Sequence, residues 1–77
     1  MKISEENKSG ILKIIRDYVD IDTPVSPESD IINDLGLSSF DAVMICGTVQ
    51  EQLGIAVEVN LLLNCKTVGD LLEVIEE

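Results

Sequence analysis

The residues best suited to chemistry are two adjacent serines, in the stretch Asp34-Leu35-Gly36-Leu37-Ser38-Ser39-Phe40-Asp41. A serine at the start of a helix can cap it by accepting a backbone N–H. It can instead stand beside the unpaired N–H groups and the positive end of the helix dipole, where a phosphate attached to it is favoured. Spacing divides these roles. Ser38 with Asp41 three residues on reads as a capping box with Asp in the third position. Ser38 is therefore expected to be the N-cap and Ser39 the first helical residue, its hydroxyl projecting outward and not used by the cap. On local physics two readings of Ser39 stay open: an ordinary exposed first-turn residue, or the bearer of a phosphodiester.

Other chemistry finds little support. The chain has 77 residues and no histidine, which removes Ser–His and Cys–His pairs and any histidine general base. Carboxylates, Lys13, Tyr18 or a serine without a base would have to serve, and so short a chain has little room to enclose a pocket. The protein is not expected to be an enzyme. Cys46 and Cys65 are not in CxxC spacing and read as small apolar core residues, so no metal site is expected. A calcium loop starting at Asp20 fails, because Pro24, Val25 and Ile31 occupy its fifth, sixth and twelfth positions.

Fifteen acids against five bases leave a net charge of −10. That balance disfavours nucleic acid and an anionic membrane surface, and favours docking onto basic protein surfaces. Met1 to Gly10 is polar, and no apolar run approaches the ~20 residues that span a bilayer. A cytoplasmic monomer is expected. With one Phe, one Tyr and no Trp, the core must be built from Ile, Leu and Val, in a single domain over residues 1–77.

The elements that must position the serines follow from periodicity. Ile11, Ile14, Ile15, Tyr18 and Val19 predict a first helix over about Ser4 to Asp20, with Gly10 weakening its middle. A connector from Asp20 to Leu37 is punctuated by Pro24, Pro27 and Gly36. Its length calls for packed residues of its own, and Ile31, Ile32, Leu35 and Leu37 are expected to fold it back onto the helices. The second helix is expected over Ser39 to Leu53. Ala42, Ile45, Cys46, Val49 and Leu53 form its core stripe, and Gly54 ends it as a left-handed cap. Val59 to Asn64 reads as one or two turns. A last helix starts at Thr67, with Thr67 and Asp70 as its capping box and Val68, Leu71, Leu72 and Ile75 as its buried face. The fold class is all-α: a small antiparallel bundle of three longer helices and a short one, with a long loop between helices 1 and 2.

In this arrangement, "DLGLSSFDAVMI" within a short acidic helical chain resembles the acyl carrier proteins and the related peptidyl and aminoacyl carrier domains. Their motif is Asp-x-Gly-x-Asp-Ser-Leu, with the serine opening the second helix. Asp34, Gly36, Ser39 and Asp41 match directly, and Thr67-Val68 matches where the last helix begins. The resemblance implies that Ser39 carries 4′-phosphopantetheine, transferred from coenzyme A by a separate holo-acyl-carrier-protein synthase with magnesium. It also implies that the arm's thiol holds acyl groups as thioesters, moved among acyltransferases, ketosynthases or acyl and aminoacyl ligases. The core, around Cys46, Val49, Leu62 and Leu72, is where such a carrier would shelter a chain. Two positions depart from the motif: Ser38 stands where the family has an acid, and Phe40 where it has Leu. The competing reading is an unmodified acidic interaction module derived from the same fold.

Phe40, Val43, Met44 and Gly47 form a second apolar strip on the second helix, beside the core stripe. Within Ser39–Leu53 only Asp41 and Glu51 are acidic. If the strip faces outward, it is a docking surface, with Asp41 and Glu51 as its charged members. If not, Val43 and Met44 are core. An outward strip implies partners held by apolar contact more than by ion pairs, as in a specialised acyl-transfer pathway such as polyketide or aminoacyl synthesis, rather than general fatty acid biosynthesis.

Overall fold

The computed structural model describes residues 2–76. Four helices follow in order: α1 Glu5–Arg16, α2 Ser39–Leu53, α3 Val59–Asn64 and α4 Val68–Val74. Among the described residues there are no strands, only two isolated bridges, Lys2–Glu76 and Asp30–Thr67.

Each helix starts where its sequence stops competing with it. In α1, Ser4 Oγ accepts from the Asn7 N–H, Glu5 and Glu6 sit in the first turn, and Lys13 and Arg16 sit in the last. Both charge placements complement the helix dipole. Gly10 does not delay the helix; a Cβ there would lie 3.2 Å from the Leu53 methyls, so the glycine lets α2 pack closely. The helix ends at Arg16, four residues before the expected Asp20. Beyond it, the Tyr18 and Val19 N–H groups donate three residues back, to Ile15 O and Arg16 O. The chain tightens into turns, yet both side chains still pack on the core. Their spacing recorded burial rather than helix.

The α2 helix spans the expected residues and ends on Gly54, whose φ of 70° is left-handed. It buries Ala42, Ile45, Cys46 and Val49, with Leu53 partly buried against them. The short α3 buries Leu62. The α4 helix is capped reciprocally by Thr67 and Asp70 and buries Val68, Leu71 and Leu72, with Ile75 buried just past its end.

The connector from Asp17 to Ser38 packs as part of the domain. Val25, Ile31, Leu35 and Leu37 enter the same core as the helices. Three backbone bonds stitch it to the start of α4: Ile31 N–H to Lys66 O (2.9 Å), Val68 N–H to Ser29 O (3.0 Å) and Gly69 N–H to Pro27 O (2.7 Å). The last approach needs a glycine, because a Cβ at 69 would lie 2.9 Å from Pro27 O. Ser29 is buried polar, and its Oγ accepts from the Ser26 N–H. One expectation fails: Ile32 is 51% exposed. Its N–H is held by Asp30 Oδ1 in a tight turn, which buries Ile31 and turns its neighbour to solvent.

Candidate functional site

The site is built from the end of the connector and the first turn of α2. Asp30 Oδ1 accepts from the Ile32 and Asn33 N–H groups (3.0 and 2.7 Å), and Asp34 Oδ2 accepts from the Asp30 N–H (2.7 Å). These bonds wind residues 30–34 into a fixed turn of the kind Asp side chains make with their own backbone. The Asn33 N–H, beside Asp30, is the main cause that holds the Asp30 carboxyl below its usual range. Gly36, at φ 63°, then reverses the chain in a conformation costly for other residues, and its N–H donates to Ile32 O. Asp34 and Gly36 thus act on the entry to the helix rather than on the serine.

Ser38 caps α2. Its Oγ accepts from the Asp41 N–H (3.2 Å), and Asp41 Oδ2 accepts from both the Ser38 N–H and the Ser38 hydroxyl (3.1 Å each). The division of labour between the serines is as the spacing implied. Ser39 is the first helical residue and is exposed. Helix geometry offers no intrahelical acceptor to the first N–H groups, Ser39 and Phe40 among them. These donors and the helix dipole suit a phosphate esterified to Ser39, so the residues present fit a phosphopantetheine.

The outward strip of α2 is real. Phe40 is 71% exposed, Val43 52% and Met44 45%, and Gly47 and Glu51 are exposed as well. The alternative that Val43 and Met44 are core is set aside. The cysteines are free thiols: Cys46 is buried, and Cys65 is half-buried, donating to Leu61 O. Burial pushes both thiols up, away from nucleophilic character. Among the described residues no group of His, Cys, Asp or Glu could hold a metal ion, and no helix is long and apolar enough to cross a membrane.

Cys46, Val49, Leu62 and Leu72, expected to line a shelter for a chain, are packed within the core. A cleft of about 510 Å³ lies elsewhere, at the end of α1, between Arg16, Asp20, Ile21 and Val25. The sequence reading missed Asp30 and the stitching of Pro27–Ile31 to α4. The Asp30-x-x-Asn33-Asp34 pattern could have signalled the first. The second rests on backbone groups and has only Gly69 as its mark.

With this geometry in view, residues 9–75 match the family described as the phosphopantetheine attachment site. The acyl carrier protein MbtL of Mycobacterium tuberculosis (strain ATCC 25618 / H37Rv) is 39% identical over 62 residues, covering 79% of this chain and 74% of that protein. The MbtL of Mycolicibacterium paratuberculosis is 35% identical over 71 residues, 88% of this chain and 80% of its own. An acyl carrier protein of Coprothermobacter proteolyticus is 34% identical over 76 residues, 97% and 88% of the two chains. The chain belongs to the acyl carrier protein family. Its cofactor is a covalently attached 4′-phosphopantetheine, and its role is that of a carrier, not a catalyst.

Proposed function

We propose that Ser39 is the attachment site, and that the chain holds acyl, aminoacyl or polyketide intermediates while partner enzymes act on them. The observation that carries this is the split between the serines: Asp41 engages Ser38, and Ser39 is left exposed at the helix start. The attached group supplies a terminal thiol on which acyl groups are held as thioesters. The chain's own residues hold the base of that arm. Ser39 Oγ bears the phosphate, the first-turn N–H groups of α2 stabilise its charge, and Ser38, Asp41, Asp34 and Gly36 fix the helix start that presents it.

The outward strip of Phe40, Val43, Met44 and Gly47, edged by Asp41 and Glu51, is the docking face for the holo-synthase and for acyltransferases, ketosynthases or ligases. With two acids on α2 and exposed apolar side chains between them, apolar contact dominates that docking. This favours a specialised pathway. Residues 1–77 form one carrier domain, an antiparallel bundle with its long connector between α1 and α2. The pairings of Gly10, in α1, with Leu53 and of Tyr18, in the turns just after α1, with Thr48 run in opposite directions along the chain and support that arrangement. The protein acts as a cytoplasmic monomer, and neither nucleic acid nor membrane is among its partners. Intact mass after incubation with coenzyme A, magnesium and a holo-synthase, for the wild type and Ser39→Ala, tests the attachment.

A further inference from the structure

Ser39 stands at the end of a run of bonds that begins at Asp30. Asp30 Oδ1 accepts from the Ile32 and Asn33 N–H groups (3.0 and 2.7 Å), and Oδ2 accepts from the Asn33 side-chain amide (3.2 Å). The Asp30 main-chain oxygen accepts from the Asp34 and Leu35 N–H groups (3.0 Å each), and its own N–H donates to Asp34 Oδ2 (2.7 Å). Both carboxylate oxygens and both main-chain polar groups of Asp30 are thus engaged. Two further bonds carry the turn towards α2: Gly36 N–H to Ile32 O (3.1 Å) and Leu37 N–H to Ile31 O (3.2 Å). Leu37 is buried, and Ser38 caps α2 directly after it.

The other side of the same turn is tied to α4. Asp30 forms an isolated antiparallel bridge with Thr67, the N-cap of α4, and the Ile31 N–H donates to Lys66 O (2.9 Å). The starts of α2 and α4 are therefore held relative to each other through this turn. Its side-chain bonds need a short reach, back to N–H groups two and three residues on, which Asp and Asn have. Glu is one methylene longer and does not favour this turn.

We propose that Asp30 is a positioning residue for the modification of Ser39: its turn sets where the Ser39 hydroxyl stands relative to the body of the domain. This rests on the reading of Ser39 as attachment site. In the transfer, Ser39 Oγ forms a bond to the phosphorus that bears the pantetheine arm, and the pyrophosphate P–O bond of coenzyme A breaks. The adenosine bisphosphate leaves with that electron pair, and the serine proton passes to the synthase. Asp30 touches none of these atoms. It acts through Leu37 and the Ser38 cap, and the outward strip of α2 does not depend on it. Misplacing a reacting group by about 1 Å can slow a reaction about a hundredfold. A loosened turn should therefore slow the transfer and leave the affinity for the synthase unchanged.

The test uses the full apo chain with coenzyme A, magnesium and excess holo-synthase, in single turnovers over a range of synthase concentrations. Wild type is compared with Asp30→Ala, Asp30→Asn, Asp30→Glu and Ile15→Val. Asp30→Asn keeps the reach and loses the charge, and Asp30→Glu does the reverse. Asp30→Ala and Asp30→Glu are expected to lose about tenfold in maximal rate with half-saturation unchanged, and Asp30→Asn to stay within about twofold of wild type. Ile15→Val, a core change in α1, is expected to melt a few degrees lower, roughly, and to keep the wild-type rate. Asp30→Glu decides the comparison if Asp30→Ala does not fold. A wild-type rate in Asp30→Glu overturns the proposal. An equal loss in Ile15→Val also overturns it, by assigning the effect to stability at large. A raised half-saturation with the rate retained in Asp30→Asn overturns it by making Asp30 a charge contact with the synthase. A wild type that is never modified removes the attachment reading and this one together, before any variant is compared.

Discussion

Ser38 and Asp41 cap α2 reciprocally: the Ser38 Oγ accepts the Asp41 N–H at 3.2 Å, and the Asp41 carboxylate accepts the Ser38 N–H at 3.1 Å. The pair secures the helix start and leaves the neighbouring Ser39 exposed and outside the cap. Ser38→Ala removes the cap and strands the Asp41 N–H. It should cost about 1 kcal/mol and lower the melting temperature by about 4–8 °C. Ser39→Ala, which breaks no bond of this pair, should melt within about 2 °C of wild type. Thermal melts of the two apo variants separate a structural serine from a functional one.

The stitch between connector and α4 is tested at Gly69. Its Cβ would meet Pro27 O, a backbone atom that cannot rotate away. Gly69→Ala should therefore destabilise by about 1–3 kcal/mol, outweighing the gain of up to about 1 kcal/mol that alanine brings to a helix. A urea titration measures it. An unchanged or raised midpoint would mean that the connector does not depend on this approach.

Asp30 should make stability depend on pH. Its folded pKa is lowered, first by the Asn33 N–H. A depressed carboxylate contributes stability above its unfolded value, about 3.9, and that contribution is lost as pH falls through the lower folded value. The stability gap between wild type and Asp30→Ala should be full at pH 6 and narrow below about pH 4. Acidification also relieves repulsion in a chain of net charge −10, so the difference between the two proteins is the quantity to follow. A gap that stays constant down to about pH 2 would remove Asp30's carboxylate from the account.

Docking by apolar contact predicts a weak response to salt. Phe40 is exposed, so Phe40→Ser should alter stability by less than about 0.5 kcal/mol. It should raise the KM of the holo-synthase for the carrier by about tenfold. Raising ionic strength from 0.05 to 0.5 M, roughly, should change that KM by only a few fold. A steep rise would mean that Asp41, Glu51 and the acids of the connector carry the docking instead.

Much of this was legible because the signals were local. The α2 helix is bounded by Ser38–Asp41 and by Gly54, side chains or conformations that name the ends directly. The buried face of α4 follows from Val68, Leu71, Leu72 and Ile75 in the same way. The end of α1 was not legible, because Tyr18 and Val19 keep helical spacing while packing from turns. Ile32 was misjudged for a related reason: its apolar character is plain, but Asp30 decides which way the turn points it. The connector's bonds to residues 66–69 join main-chain groups far apart in sequence, and hydrophobicity carries no trace of them.

The central claim is that Ser39, and not Ser38, bears the arm. The most direct measurement is intact mass after incubation with coenzyme A, magnesium and a broad-specificity holo-synthase, run on wild type, Ser38→Ala, Ser38→Asp and Ser39→Ala. Wild type, Ser38→Ala and Ser38→Asp should each gain one phosphopantetheine, and Ser39→Ala none. A gain that persists in Ser39→Ala, or no gain in either the wild type or Ser38→Asp, would contradict the account.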